Sequence, residues 1–153
     1  MIPSPSDMPD ECAHLLQSEL AADAQFLFAR AAARGSGKTN ELLAPLGLKV
    51  RQYSVLSLAA SEFTPTQRDL AFFLGLDPSQ VVGIVDHLEK EGLVRRVPDP
   101  KDKRSRLITA TPKGVDVYRR AHALTKESED LTLSRLSPGE RALLLELLVK
   151  IAF

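Results

Sequence analysis

A cluster of basic side chains between residues 95 and 106 is the part of the sequence best suited to chemistry. Six positive residues stand against two negative ones there, an excess of four in a chain whose formal net charge is +0. Clustered lysine and arginine bind the phosphates of nucleic acids. The candidate DNA contacts in this segment are Lys101, Asp102, Lys103, Arg104 and Arg106.

The centre of this segment, residues 98–104, has the composition of a turn, with two prolines and two aspartates among its basic residues. A basic tip on a short ribbon suits a narrow minor groove, whose negative potential attracts arginine. Asp102, two residues before Arg104, is expected to hold the Arg104 guanidinium in one orientation. A solvated charged hairpin is the alternative explanation of the same pattern.

A second set of candidate DNA contacts lies at and before a predicted helix over residues 77–91. Gln80 can pair with adenine through two hydrogen bonds, Ser79 can reach a base or a phosphate, and Val82 can contact a thymine methyl. In the alternative interpretation, Ser79 and Gln80 serve only as helix caps. The full set is Thr66, Ser79, Gln80, Val82, Gly83 and His87.

Acidic residues on the same helix need a different environment, because DNA phosphates would repel them. Asp86, Glu89 and Glu91 are therefore expected to face solvent or to pair with Lys90 and Arg95.

Capping signals place the elements that carry these side chains. A capping oxygen followed by proline marks a helix start, because the side chain accepts a bond from an unpaired N–H and proline has no N–H to leave unpaired. The signal occurs at Thr64-Pro65, Asp77-Pro78, Thr111-Pro112 and Ser137-Pro138.

The order of elements around the basic segment predicts the fold. Helices over residues 64–74 and 77–91 are separated by a short turn, and strands over residues 93–97 and 106–110 follow. Helix, turn, helix and a two-stranded ribbon form a winged helix-turn-helix, which places its second helix in a DNA groove. We therefore predict a mainly α protein with a small two-stranded β wing.

The flanking segments predict further helices. An apolar stripe at steps of three and four residues predicts a long helical stretch from Asp10 to Arg34. Gly35-Ser36-Gly37 then either kinks one long helix or separates two, a bend or fraying is expected there, and Gly47 is the predicted stop. The remaining helices are predicted over residues 50–60, from 112 to about 133, and from 137 onward.

The predicted last helix is apolar over most of its circumference, which a chain of 153 residues can hardly bury alone. A second copy in two-fold symmetry is the expected partner. We therefore predict a mobile arm over residues 1–9 and a single domain over residues 10–153. Residues 10–47 and 112–153 would dimerise, and residues 48–111 would form the winged helix.

Composition argues against several other classes of protein. One cysteine, Cys12, excludes an internal disulfide and any multi-cysteine metal site, and the three histidines lack metal-ligand spacing. We find no apolar run of about 18 residues, no leader pattern and no nucleophile with its base. The expectation is a cytoplasmic protein that is not an enzyme and needs no cofactor.

Several motifs of the sequence resemble the MarR family of bacterial transcriptional regulators. They are LGL at 46–48, YSVL at 53–56, RDLAFFLGL at 68–76, VDHLEKEGLVRR at 85–96, DPKDKR at 99–104 and LITATPKG at 107–114. The likeness covers roughly residues 25–150, and the Asp-x-Arg wing followed by Thr-x-x-Gly is its most specific part.

The resemblance implies a homodimeric regulator, usually a repressor, on double-stranded DNA at a palindromic site, with Arg104 in the minor groove. It also implies release of DNA when a small aromatic or phenolic effector fills a crevice between the dimer bundle and the winged helix. The residues expected to line that crevice, unless they are ordinary core residues, are Phe26, Arg30, Tyr53, Tyr118 and His122.

Two features depart from the family pattern. Many members carry a basic residue where Gly83 stands, so base readout is expected to be weaker or to shift to Gln80 and His87. The N-terminal segment is longer than the family requires, and Cys12 lies upstream of the place where peroxide-sensing members carry a reactive cysteine. An inert thiol is therefore expected. A winged-helix module that binds proteins instead of DNA is the alternative function.

Overall fold

The computed structural model describes residues 9–153, and most of the predicted arm at residues 1–9 therefore lies outside the described residues. The chain divides into two compact units, Met1–Gly37 and Lys38–Phe153, each described here by itself. The predicted fold class is confirmed, since the elements within residues 9–153 are helices apart from one two-stranded antiparallel sheet.

The N-terminal segment does not form the single helix expected from Asp10. Two 3-10 helices, Asp10–Gln17 and Glu19–Ala22, precede the first α-helix, α1 (Ala24–Leu43). The hydroxyl of Ser18 donates to the Leu15 carbonyl (2.6 Å), and the Asp23 carboxylate accepts the Phe26 N–H (2.7 Å). These local side-chain bonds compete with helix continuation and cap α1 at Asp23.

Helix α1 continues through Gly35-Ser36-Gly37, so one helix and not two crosses the glycines. A short 3-10 turn, Ala44–Leu46, follows, and Gly47 ends it with φ of 69°. This left-handed conformation suits glycine and confirms the predicted stop. Helix α2 (Val50–Ala59) then begins at the predicted residue and ends one residue before the predicted end.

The helix-turn-helix consists of α3 (Gln67–Leu74) and α4 (Pro78–Lys90), and the wing of β1 (Val94–Pro98) and β2 (Arg106–Ala110). The strands pair antiparallel, from Val94 opposite Ala110 to Pro98 opposite Arg106. The core beneath them is aliphatic, and its fully buried members include Leu43, Val55, Leu56, Leu70, Val81, Val85, Leu88 and Ile108.

The predicted start of α3 at Thr64 is wrong, because Thr66 is the cap. Its hydroxyl accepts the Asp69 N–H (3.1 Å), and the Asp69 carboxylate accepts the Thr66 N–H (2.9 Å). The preceding residues are extended against the wing: the Pro65 carbonyl accepts the Ile108 N–H at 2.8 Å, and Thr66 forms a bridge with Leu107. This long-range pairing keeps Pro65 out of the helix.

The last two helices are α5 (Pro112–Thr132) and α6 (Pro138–Ala152), capped by Thr111 and Ser137 as predicted. Helix α6 has no buried residue. The exposed large apolar side chains between Leu143 and Phe153, the residue just after the helix, have exposed fractions from 41% to 81%. Arg141 near the start of α6 donates to Asp130 on α5 (2.8 Å), and beyond its end the rings of Phe153 and Phe73 lie 5.4 Å apart. None of the described helices is long and apolar enough to cross a membrane.

Candidate nucleic-acid interface

Helix α4 presents one buried and one exposed face. Val81, Val85 and Leu88 are fully buried, at the three- and four-residue spacing of a core-facing stripe. The opposite face carries five of the predicted DNA contacts, all exposed, namely Ser79, Gln80, Val82, Gly83 and His87. The helix therefore offers solvent a mixed polar and small-residue surface that fits the major groove.

Ser79 and Gln80 also cap α4. The Asp77 carboxylate accepts the Ser79 N–H (2.8 Å) and the Ser79 hydroxyl, while the Gln80 carbonyl oxygen accepts the Asp77 N–H (3.3 Å). The bond from the Ser79 hydroxyl, followed by that from its N–H, lowers the pKa of Asp77 below its ordinary value. Capping occupies the Gln80 oxygen but leaves its amide NH₂ to donate to a base.

Thr66 caps α3 in the same way, although it was predicted as a DNA contact. Its hydroxyl donates to the Asp69 carboxylate (2.7 Å) and accepts the Asp69 N–H. The backbone N–H of Thr66 and then its hydroxyl lower the pKa of Asp69. A contact between Thr66 and DNA stays a prediction.

Arg96 joins the wing to both helices of the motif. Its guanidinium donates to Asp86 and Glu89 on α4 and, through Nε at 2.9 Å, to Gln67 on α3. Its backbone N–H also donates to Glu89 (3.1 Å). Burial lowers the pKa of Arg96, but the hydrogen bonds to Asp86 and Glu89 outweigh it and raise that pKa above its ordinary value.

The prediction that Asp86, Glu89 and Glu91 face solvent is confirmed, since all three are exposed, but the partner of Asp86 and Glu89 is Arg96 and not Lys90 or Arg95. Strand alternation could have identified Arg96, because side chains two residues apart point to the same face and Val94 is buried. The positive charge of Arg96 is thus largely compensated by the carboxylates of Asp86 and Glu89. The wing cations left exposed are Arg95, Lys101, Lys103, Arg104 and Arg106.

The wing tip is held by carboxylates that bond to the backbone. Asp102 accepts the Arg104 N–H (2.9 Å), and Asp99 accepts the Lys101 N–H (2.8 Å). The expectation that Asp102 orients the Arg104 guanidinium is therefore wrong, since its carboxylate fixes the main chain instead. The tip is a structured turn from which the exposed Arg104 side chain can reach outward.

Three of the five predicted effector contacts meet in one aromatic cluster. The Tyr53 hydroxyl lies 3.0 Å from His122 Nδ1, and the Tyr53 and Tyr118 rings stack with centroids 6.1 Å apart. Thr125, which the sequence analysis missed, donates to the Tyr53 hydroxyl (3.2 Å). Its spacing of three residues from His122 could have indicated it. The other two predicted contacts, Phe26 and Arg30, lie in the N-terminal unit.

Comparison with known proteins agrees with this geometry. A family model described as the MarR family matches residues 48–105. A transcriptional regulatory protein described for the hcr operon of Thauera aromatica is 32% identical over 139 residues, which are 90% of this chain and 76% of that protein.

Two solved structures are similar over nearly their whole length. CouR from Rhodococcus jostii RHA1, bound to p-coumaroyl-CoA, superposes with a TM-score of 0.82 at 39% identity, over 90% of this chain and 96% of CouR. A mutant MarR from E. coli complexed with operator DNA superposes with a TM-score of 0.74 at 28% identity, over 82% of this chain and 90% of that one.

Proposed function

The chain belongs to the MarR family of transcriptional regulators, and we propose on this premise that it is a homodimeric repressor of a palindromic DNA operator. The observation that carries the proposal is the exposed face of α4 next to a basic wing that Arg96 ties to the same helix. A recognition helix and a wing held in fixed relation can enter neighbouring grooves together.

Each group of predicted contact residues has its own proposed role in DNA recognition. The Gln80 amide NH₂, Ser79, Val82 and His87 would contact base edges in the major groove, with Gly83 leaving room between them. Thr66 at the start of α3 would approach the phosphate backbone. The wing would supply the minor-groove contact through Arg104, with the remaining candidates Lys101, Asp102, Lys103 and Arg106 around it.

The apolar side chains of α6 support the homodimer. They are too many and too exposed for a surface that faces water alone. Burying them against a second copy, together with α1 and α5, would place two recognition helices in two-fold symmetry. Half-sites one helical turn apart follow from that symmetry. The proposed place of action is the cytoplasm, and the proposed role is regulatory and not enzymatic.

The proposed effector is a small aromatic or phenolic molecule that releases the protein from DNA. Tyr53, Tyr118 and His122 offer stacking surfaces and hydrogen-bonding groups in one cluster, and Phe26 and Arg30 remain predicted contacts. The bound p-coumaroyl-CoA of CouR makes aromatic thioesters the first class to test here.

Selection of fragments from a random DNA pool at physiological salt tests the proposal. Enrichment of a palindrome with half-sites one helical turn apart is expected, and it supplies the probe for effector release. A parallel sizing experiment should give twice the chain mass of 16.8 kDa. Recovery of no motif, together with capture of a cellular protein, would favour the protein-binding alternative.

A further inference from the structure

Helix α6 is attached to the rest of its unit near both ends. At its start, Arg141 donates through Nη1 to the Asp130 carboxylate on α5 (2.8 Å) and through Nε to the Leu133 carbonyl (3.2 Å). Beyond its end, the rings of Phe153 and Phe73 lie 5.4 Å apart, and their planes are inclined by 31°. The 15 residues of α6 span roughly 22 Å. The helix therefore bridges the end of α5 and the helix-turn-helix.

Phe153 is held in place by the backbone at the end of α6. Its N–H donates to the Val149 carbonyl (3.1 Å), which continues the helical pattern by one residue. Its ring is 81% exposed and meets Phe73 with one side. Aromatic rings with centroids about 4.5–7 Å apart attract each other beyond the effect of the apolar area they bury. The two rings are therefore at the distance of a stabilising pair.

Phe73 lies in the last turn of α3, where the chain leaves that helix toward α4. The Gly75 N–H donates to the Phe72 carbonyl (3.3 Å), and the Leu76 N–H donates to the Ala71 carbonyl (3.0 Å). Gly75 has the left-handed φ of 61° with which helices commonly end. A contact that holds the Phe73 ring therefore also holds this turn.

The same turn sets where the recognition helix begins. Asp77, the cap of α4, follows Leu76 directly, and the proposed base contacts Ser79 and Gln80 lie in the first turn of α4. A displacement at the end of α3 is thus passed within a few residues to the side chains that would meet the bases.

We propose that Phe153 is a positioning residue for DNA recognition, and that it acts through Phe73 on the turn between α3 and α4. The effect on DNA rests on the proposed function, whereas the ring contact exists without DNA. The exposed apolar side chains of α6 are those proposed to meet a second copy. The same helix therefore links the dimer contact to the orientation of the recognition helix.

Amide hydrogen exchange of the full chain without DNA tests the contact. Phe153→Ala should accelerate exchange at Gly75 and Leu76 several-fold, because their hydrogen bonds end α3. Phe153→Tyr keeps the ring and should exchange like the wild type. Phe72→Ala is the matched control, since the Phe72 ring is 92% exposed and forms no ring pair within residues 9–153. Wild-type exchange in Phe153→Ala would overturn the proposal.

A double-variant comparison separates this role from dimerisation. Operator affinity per dimer should fall about two- to tenfold in Phe153→Ala and in Phe73→Ala, the range expected for one aromatic pair. Phe73 is 56% exposed, so its truncation should leave the fold intact. The variant with both changes should bind no more weakly than either single variant, because both remove the same contact.

Additive losses in the double variant would overturn the proposal. Dissociation of the Phe153→Ala dimer together with normal operator affinity in Phe73→Ala would also overturn it, because Phe153 would then act through the partner copy. Wild-type exchange in Phe153→Ala with an enriched palindrome rejects the positioning role alone. An absent palindrome with faster exchange at Gly75 and Leu76 rejects the proposed operator binding alone.

Discussion

Gly114 on α5 lies so close to Leu93 that a Cβ on Gly114 would stand 1.9 Å from the Leu93 carbonyl oxygen. That oxygen also accepts the Thr111 N–H at 3.0 Å, and the Thr111 hydroxyl donates to the Gly92 carbonyl at 2.6 Å. The end of the wing and the start of α5 are therefore fastened to the segment that leaves α4. This contact gives a physical reason for the Thr-x-x-Gly motif at residues 111–114.

Gly114→Ala should destabilise the fold by about 3 kcal/mol or more, because backbone atoms of Leu93 cannot move aside cheaply. Urea unfolding of the purified protein measures the change. Gly139→Ala is the matched control, since a Cβ there meets nothing within 4 Å. Equal stability of the two variants would show that α5 can shift away from Leu93 without penalty.

Arg96→Met should weaken operator binding about tenfold while lowering stability by only about 1 kcal/mol, because its ion pairs are partly exposed. The loss arises from Asp86 and Glu89, left unpaired near the phosphates. Adding Asp86→Asn and Glu89→Gln should restore most of the affinity in a titration with labelled operator. Failure of this rescue would mean that Arg96 itself contacts DNA. Arg95→Met is the control.

Asp69→Asn should reveal the stabilising effect of the Thr66 capping box through its pH dependence. The pKa of Asp69 is lower in the folded state than its unfolded value of 3.8. The contribution of this carboxylate to the free energy of unfolding is therefore complete above pH 3.8 and is lost as the pH falls through the folded-state pKa. At pH 7 the variant should be less stable, by about 0.5 kcal/mol given the exposure of the group.

The stability difference between wild type and Asp69→Asn should shrink toward zero below pH 3.8. Urea unfolding across this range, with Asp116→Asn on α5 as control, measures it. A difference that stays constant with pH would exclude the carboxylate as its source.

Local signals predicted most of the winged helix, because the caps at Asp77, Thr111 and Ser137 form bonds within a few residues of chain. The same signal was wrong at Thr64, where two capping threonines flank Pro65. The choice between them depends on the bond from Ile108 to Pro65, which joins residues far apart in sequence.

Other parts of the site needed three-dimensional information. Apolar spacing of three and four residues suits 3-10 and α helices alike, so the breaks at Ser18 and Asp23 were not predicted. Composition showed the excess charge of the wing but not which cation α4 would neutralise. Arg96 differs from Arg95 only by strand face, and that difference becomes visible when the strand register is known.

Arg104→Ala should weaken operator binding by about 1–3 kcal/mol and reduce the slope of log affinity against log salt by about one. Stability should not change, because the tip is held by the Arg104 N–H and not by its side chain. Titrations at several salt concentrations measure both quantities, with Arg119→Ala as control. Unchanged affinity would remove the wing from recognition.

Gly83→Ala should stabilise the protein by about 1 kcal/mol, because glycine inside a helix is costly and a Cβ there meets nothing within 4 Å. Gly83→Lys should add a phosphate contact, raising operator affinity and steepening the salt slope by about one. Urea unfolding and operator titration measure the two effects. Gly83→Ala could instead be more stable but bind DNA less tightly. That result would mean that α4 approaches the base edges too closely at Gly83 to admit a side chain. Close approach to DNA, and not weaker base readout, would then explain why this position lacks the basic residue found in many family members.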